Sequence, residues 1–575
     1  MTLDQWFLFF IAIQIIHFLG TWKLYVKAGR KAWEAIIPIY NAVVLMQIIN
    51  RPKWWVILLF VPIINLLMFP IVWIETIRSF GKNSTKDSIL VVATLGLYIY
   101  FVNYMTDVAY VEDRSLKPRT ATGEWVSSIA FAIIAATLVH TYFMQPYTIP
   151  TSSLEKSLLI GDFLFVSKFH YGARVPMSTV AAPMVHDTIP AIPIPFTGIN
   201  LTKKFRSYLN KPQLPYLRIP GFQDIKRNDI VVFSWPADTV EQFFKRTNRK
   251  IRKPIDKKSN YVKRCVGVPG DSLELRNGFV YINGEKNSLP DRAKLQFNNV
   301  IITKTVIDRR FLEKYDLEEY QPIYKFKIDI WDNPRIISHL ASLESQRRSY
   351  LREYYRDSLD VYVVGGIAQD EARKLKISAL PNAMKTNLTE ETKLRLLKDD
   401  NVTSVDLFID RSVHDLYGDK YHPAWNRDNY GPIYIPKKGT TVALNKRSLP
   451  FYKKIIREYE KNDLEIQGGQ IFVNGAPADS YTFKQDYYWM MGDNRHNSED
   501  SRFWGYVPFD HVVGKPVFIW FSWNTNGKGL NKVRWERLFT TVGGSGKPVS
   551  YFYYFLGVIA LLYGYSIYKK RKKEA

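Results

Sequence analysis

The sequence predicts a multi-span α-helical membrane region plus a mainly β extracytoplasmic domain that carries a mixed α/β inserted lobe. Three observations lead there. Long apolar runs without a charged side chain occur near both ends of the 575-residue chain. Short runs rich in β-branched and aromatic residues fill its middle. Lysine and arginine gather beside the apolar runs, where they would fix an orientation. With 46% hydrophobic residues the chain can build real cores, which excludes wholesale disorder. One cysteine, Cys265, rules out an intramolecular disulfide and a cysteine zinc site. The net charge of +25 admits nucleic acid, an anionic membrane surface or acidic ligands.

The apolar runs decide among these. They cover residues 6–20, 54–74, 88–102, 125–144 and 549–568. Some 20 apolar residues cross about 30 Å of hydrocarbon at 1.5 Å per residue, so 54–74, 125–144 and 549–568 are expected to span. The first run has neither the basic flank nor the small-residue cleavage site of a removable leader. Residues 36–49 are short and suit the interface. Six Lys/Arg in residues 21–53, against three in 75–87, and five in the tail 569–575 orient the chain. Four N-terminal spans with the N-terminus outside satisfy these counts. They deliver 145–548 to the non-cytoplasmic side, which removes nucleic acid as a partner.

The exported part reads as strands. Residues 161–169, 229–235, 261–268 and 515–523 are bounded by Gly, Pro or Asp. LELRNGFVYINGEK (273–286) and LEIQGGQIFVNGAP (464–477) form an internal repeat of two hairpins with Gly turns. Between them, 342–360 and 388–400 look helical and belong to the inserted lobe.

Directly after the fourth span comes QPYTIPTSSLEKSLLIGDFLFVSKFHYG. A serine nucleophile needs a base and donors for the oxyanion. The nine histidines are scattered, and none lies in a GxSxG elbow. A lysine serves instead if burial lowers its pKa by favouring the neutral amine. Lys156, in an SxxK match with Ser153, and Lys263, in YVKRCVGVPGDS, are the candidates. The SxxK pattern lacks the SDN and KTG elements that accompany it in penicillin-binding proteins, and residues 79–82 match it equally well by chance. Alternation along 261–263 puts Tyr261 and Lys263 on one strand face.

IPTSSLEKSLLIGDFLFVSK, RNDIVVFSWP, YVKRCVGVPGD and GDNRHNSEDSRFWGYVP occur in that order. They resemble the boxes of type I signal peptidases, membrane-bound Ser/Lys endopeptidases of the peptidase S26 family. The resemblance covers about 150 residues, and its order makes it specific. The long N-terminal region and the insert are similar to variants found in Bacteroidetes-type bacteria.

The resemblance implies a signal-peptidase-like β fold and a set of roles. Ser153 matches the nucleophile and Lys263 the general base. Thr151 stands where a Ser hydroxyl supports the oxyanion, and Ser498 where a serine orients the lysine. Asp500 and Arg502 match a structural ion pair. Tyr147, Ile149, Leu154, Leu158 and Val262 match the shallow pockets for small side chains, which implies cleavage after Ala-X-Ala. No cofactor or metal is implied. The implied partners are exported preproteins, with the secretion translocon nearby. The implied place is the bacterial cytoplasmic membrane, multi-pass, with the catalytic domain outside. The sequence departs from the family in Leu154-Glu155-Lys156-Ser157, where Met-x-Pro-Thr is usual, and in Thr for Ser at 151. A non-enzymatic scaffold with a degenerate peptidase domain is the rival reading. The presence of Ser153, Lys263 and Ser498 together argues against it.

The domains expected are a multi-span region 1–124, an anchoring helix 125–145, catalytic halves 146–289 and 426–548, and the lobe 290–425. A last span 549–568 and a basic tail 569–575 complete the chain. The densest charge, ten basic residues against one acidic, lies in 245–264 around Lys263. It reads as a solvated loop or, more sharply, as a collar for anionic lipid headgroups whose field helps keep Lys263 neutral.

Overall fold

The computed structural model describes residues 2–118, 120–189, 205–239, 251–317, 319–375, 377–409 and 416–574. Two compact units emerge: Met1–Gln145 with Ser167–Gln223 and Asp238–Asn260, and Pro146–Val166 with Asp224–Ala237 and Tyr261–Ala575.

The first unit is helical at its start. Leu3–Lys27 is one unbroken helix, capped by a reciprocal Thr2–Gln5 box, with Asp4 in its first turn and Lys27 in its last. Ala121–Phe143 is the second helix long and apolar enough to cross a bilayer. The other expected spans come out differently. The run 54–74 is not one helix: Trp55–Phe60 stops before Pro62, and Ile64–Arg78 restarts after it. Proline lacks an N–H and pushes the preceding Val61 into extended backbone, so the ladder breaks there. The run 88–102 also divides, into Thr85–Ala93 and Tyr98–Met105, bent by 118°. Leu95 and Gly96, both at positive φ, make that bend. Residues 552–574 form one 23-residue helix, but five tyrosines and the basic tail dilute its apolar character.

The basic run 245–264 lies partly outside the described residues, which resume at 251. Its described members are mostly not free charges. Lys253 is buried with Asp187 and Asp238 at 3.3 and 3.5 Å. Lys257 is buried over the Tyr208 ring, and Lys263 and Arg264 are buried too.

The second unit is largely β. Its main sheet takes strands β1 (Met144–Thr148), β2 (Asp162–Ser167), β3 (Ile230–Ser234), β4 (Asn260–Gly267), β5 (Tyr487–Met491), β6 (Val507–Pro508), β7 (Val512–Ser522) and β8 (Thr540–Thr541). Their order is β1-β2-β7-β3-β4-β5-β6, with β8 on β7. Strands far apart in sequence are therefore neighbours, and β4, which carries Lys263, pairs with β5 just before the loop that carries Ser498. Every residue of β3 and β5 is buried, as expected of β-branched and aromatic runs without polar alternation. Both repeated hairpins form, Ser272–Arg276 with Phe279–Ile282 and Leu464–Gln467 with Gln470–Val473. Asn277 and Gly278 turn the first at positive φ.

The inserted lobe is a six-stranded antiparallel sheet with short helices. The helix expected over 342–360 ends early, at Ser345, and Ser349–Arg356 is a strand paired with Asp360–Ile367. Ser349 and Leu351 turn inward while Tyr350 and Glu353 stay exposed, so the charged stretch carries a period of two at its start. The helix over 388–400 does form, as Glu390–Leu396, capped by Thr389.

Candidate active site

Ser153 sits in a one-turn 3₁₀ segment, Ser152–Leu154, that follows β1 and Thr151. Leu154 and Leu158 fall inward and anchor this turn in a core with Ile149, Leu164, Val166 and Val232, against which Tyr147 and Val262 pack. The five residues expected to line substrate pockets thus share one apolar cluster. Leu154 and Leu158 are fully covered in it, whereas Tyr147 and Val262 keep part of their surface.

The GDNRHNS loop after β5 closes over this turn. Asn494 donates its backbone N–H to the Ser153 carbonyl at 3.1 Å and its amide to the Ser152 carbonyl at 3.2 Å. Asn497 donates to Ser152 Oγ at 2.7 Å. Gly492 has to be glycine: a Cβ there would stand 2.4 Å from Ser498 Oγ and 2.5 Å from the Ser153 carbonyl oxygen.

Lys263 enters from β4, whose Arg264 and Cys265 pair with Met491 and Met490 just before that loop. Its ammonium lies 5.5 Å from the Tyr261 ring on the same strand face, and Tyr261 stacks on Trp235 at 5.1 Å. The side chain is 4% exposed. Burial pushes its pKa down to about 8, against the opposing pull of Asp500 and Glu499. The cause is desolvation, to which the Arg502 charge adds. Ser498 Oγ is buried beside Gly492 and makes no hydrogen bond among the described residues, so its expected bond to Lys263 is not formed in this state. Lys156 points elsewhere: it is exposed and pairs with Asp316 at 2.9 Å. Thr151 is exposed at the head of the Ser153 turn.

Two buried ion pairs hold the loop. Arg502 grips Asp500 through two bonds of 2.8 and 2.9 Å and donates to the Arg495 carbonyl at 2.6 Å. Arg264 grips Asp493 through bonds of 2.7 and 2.6 Å, and Asp493 also accepts from Ser157 at 2.6 Å. No local pattern marks this second pair, although Arg264 directly follows Lys263 and Asp493 stands inside the GDNR box. His496 is likewise structural: it is packed against Asp428 at 2.7 Å and accepts the Asn298 N–H at 2.8 Å.

A buried lysine on β4 and a serine turn closed over by the loop after β5 are features to set against serine hydrolases. The sequence pattern of the family described as "Signal peptidase, peptidase S26" matches residues 122–323 and 434–523. That of a family of unknown function matches 33–113. A signal peptidase I of Buchnera aphidicola subsp. Baizongia pistaciae is 23% identical over 391 residues, covering 68% of this chain and 73% of that protein. The signal peptidase I of Rickettsia felis is 30% identical over 29% of this chain and 45% of its own length. For that of Helicobacter pylori the identity is 37%, over 15% of this chain and 31% of its own length. The chain thus spans less than half of the last two relatives. It belongs to the signal peptidase family, peptidase S26, and is a membrane-anchored serine endopeptidase that removes signal peptides from preproteins.

Proposed function

We propose that the reaction runs through Ser153 as nucleophile and Lys263 as general base, releasing signal peptides after Ala-X-Ala. The burial of Lys263 carries this reading, because a lysine near 8 has an appreciable neutral fraction at ordinary pH. Its lone pair takes the Ser153 proton as Oγ attacks the scissile carbonyl. The Ser153 N–H and the Thr151 hydroxyl receive the oxyanion. Ser498, whose hydroxyl lies buried beside Gly492, orients the amine once substrate excludes water. Tyr147, Ile149 and Val262, over a floor of Leu154 and Leu158, accept small side chains and reject large ones. Asp500 and Arg502 hold the loop's shape.

The test sets Lys263→Ala against Lys156→Ala in cleavage of a preprotein. Lys263→Ala should be inactive and Lys156→Ala close to wild type, since an exposed pair of this kind contributes little. An active Lys263→Ala overturns the reading. In wild type, kcat/KM should rise with pH and reach its half-maximum near about 8, because only the deprotonated amine is competent.

We place residues 144–548 on the extracytoplasmic face of the cytoplasmic membrane, in a multi-pass chain. Leu3–Lys27 and Ala121–Phe143 as spans leave the N-terminus and the catalytic halves, 146–289 and 426–548, on one side. Residues 28–120, with ten Lys/Arg, then lie inside. The helix Phe552–Glu574 returns the basic tail. Contact with anionic lipid falls to the basic residues of 245–252, with the translocon nearby as the source of preproteins. The only native cysteine, Cys265, is buried, so introduced cysteines report topology cleanly. In spheroplasts Thr525→Cys should react with an impermeant maleimide and Lys53→Cys should not; the reverse pattern refutes the orientation. Binding to anionic vesicles that ignores both salt and neutralisation of 245–252 refutes the lipid contact.

A further inference from the structure

The inserted lobe does not stand apart from the loop that closes over Ser153. Gln296 exchanges backbone hydrogen bonds with Asp493 and Arg495, at 2.9 and 3.0 Å. Asn387 on the lobe donates to Asn494 Oδ1 at 2.7 Å. Between lobe and loop lies a cavity of about 400 Å³, the size of a small ligand site. Its lining is polar, with Asn298, Gln321, Asn387 and Asn497 as amides and Tyr320 and Tyr350 as exposed aromatics. Lys385, Arg427 and Glu319 supply its charges, a net positive set. Lys385 is steadied over the Phe408 ring at 4.2 Å and by Gln321 at 3.1 Å. The Asn387 Oδ1 acceptor is buried and unmatched among the described residues.

The position of this cleft relative to the serine matters most. Asn497 lines it and also donates to Ser152 Oγ, so one side chain joins the cleft to the Ser153 turn. The apolar cluster of Tyr147, Ile149 and Val262 belongs to the core beneath the Ser153 turn, whereas the cleft is built on the GDNRHNS loop that covers it. A chain threaded past Ser153 has an apolar part, the signal peptide, and a polar part, the start of the mature protein. Side-chain amides and tyrosines are the groups that hydrogen-bond an extended polar backbone.

We infer that this cleft binds the first residues of the mature chain, beyond the scissile bond, and favours acidic side chains there. The inference rests on the assignment of Ser153 as nucleophile. It gives the inserted lobe a role in choosing among preproteins. Three substrates sharing one signal peptide test it: one with an acidic mature start, one with a lysine-rich start, and one ending two residues after the bond. Wild type should prefer the acidic substrate. Lys385→Glu should invert that preference, with a change of about tenfold in kcat/KM for each long substrate. The short substrate should be cleaved equally by both enzymes, which also reports intact folding. Equal effects on all three substrates, or none on any, overturn the inference. Cleavage of these substrates by Ser153→Ala would instead strike at the Ser153 assignment.

Discussion

Ser153→Ala should reduce preprotein cleavage by at least about 10⁴-fold, the scale on which serine hydrolases lose activity without their nucleophile. The side chain is small and sits in a turn whose shape is set by the backbone. The Ser153 carbonyl accepts from Asn494, and Leu154 and Leu158 are buried below. Removing one oxygen leaves those contacts in place, so the variant should fold, keep its Tm and still bind preprotein. Turnover measured with the purified membrane protein checks this, with substrate crosslinking as the control for binding. A residual rate within about tenfold of wild type would mean that another group attacks the carbonyl.

Asp500→Ala should be the most damaging change away from the reacting atoms. The Arg502 side chain is 1% exposed and its partner Asp500 is wholly covered. Asp500 also accepts the Gly492 N–H at 3.1 Å and caps the short helix Ser501–Trp504. Truncation strands a buried guanidinium, a cost of about 3–5 kcal/mol. It also frees Gly492, which touches both Ser498 and Ser153. Tm and activity should fall together, while Asp500→Asn, which keeps the cap but loses the charge, should be intermediate. An unchanged Tm in Asp500→Ala would show that the pair does not hold the loop. The pH dependence follows. Burial alone would raise the Asp500 pKa, but the charge and hydrogen bonds of Arg502 hold it below the ordinary carboxylate value. The stability it lends is therefore complete above the ordinary value, and it disappears as pH falls through the lowered one.

The candidate site residues stand out in the sequence because their chemistry is local. A serine just past an apolar run, a lysine in a short strand and a Gly-rich polar box each announce themselves within a few residues. The strands at 161–169, 229–235, 261–268 and 515–523 were legible for the same reason, since β-branched and aromatic runs bounded by turn residues have few alternatives. Where the reading went astray, a single residue or a period outweighed composition. Pro62 divides 54–74 despite its apolarity, Gly96 bends 88–102, and alternating burial turns 349–356 into a strand although its charges suggest a helix. The basic run around Lys263 looked like a solvated collar, yet Lys253 and Lys257 fold inward onto Asp187, Asp238 and Tyr208.

By itself, then, the sequence determined which residue types stand at which steps of the chain: the apolar helices, the serine after the second of them, the lysine in a short strand and the Gly-rich polar box. Only the tertiary structure decided how they are held. Arg264 and Asp493 are 229 residues apart and the Asn387–Asn494 contact spans 107. No local pattern encodes such a meeting, because it depends on the order of strands in the sheet. The depressed pKa of Lys263 is of the same kind. It comes from desolvation by neighbours gathered from distant segments, a property of the packed protein and not of any stretch of the chain.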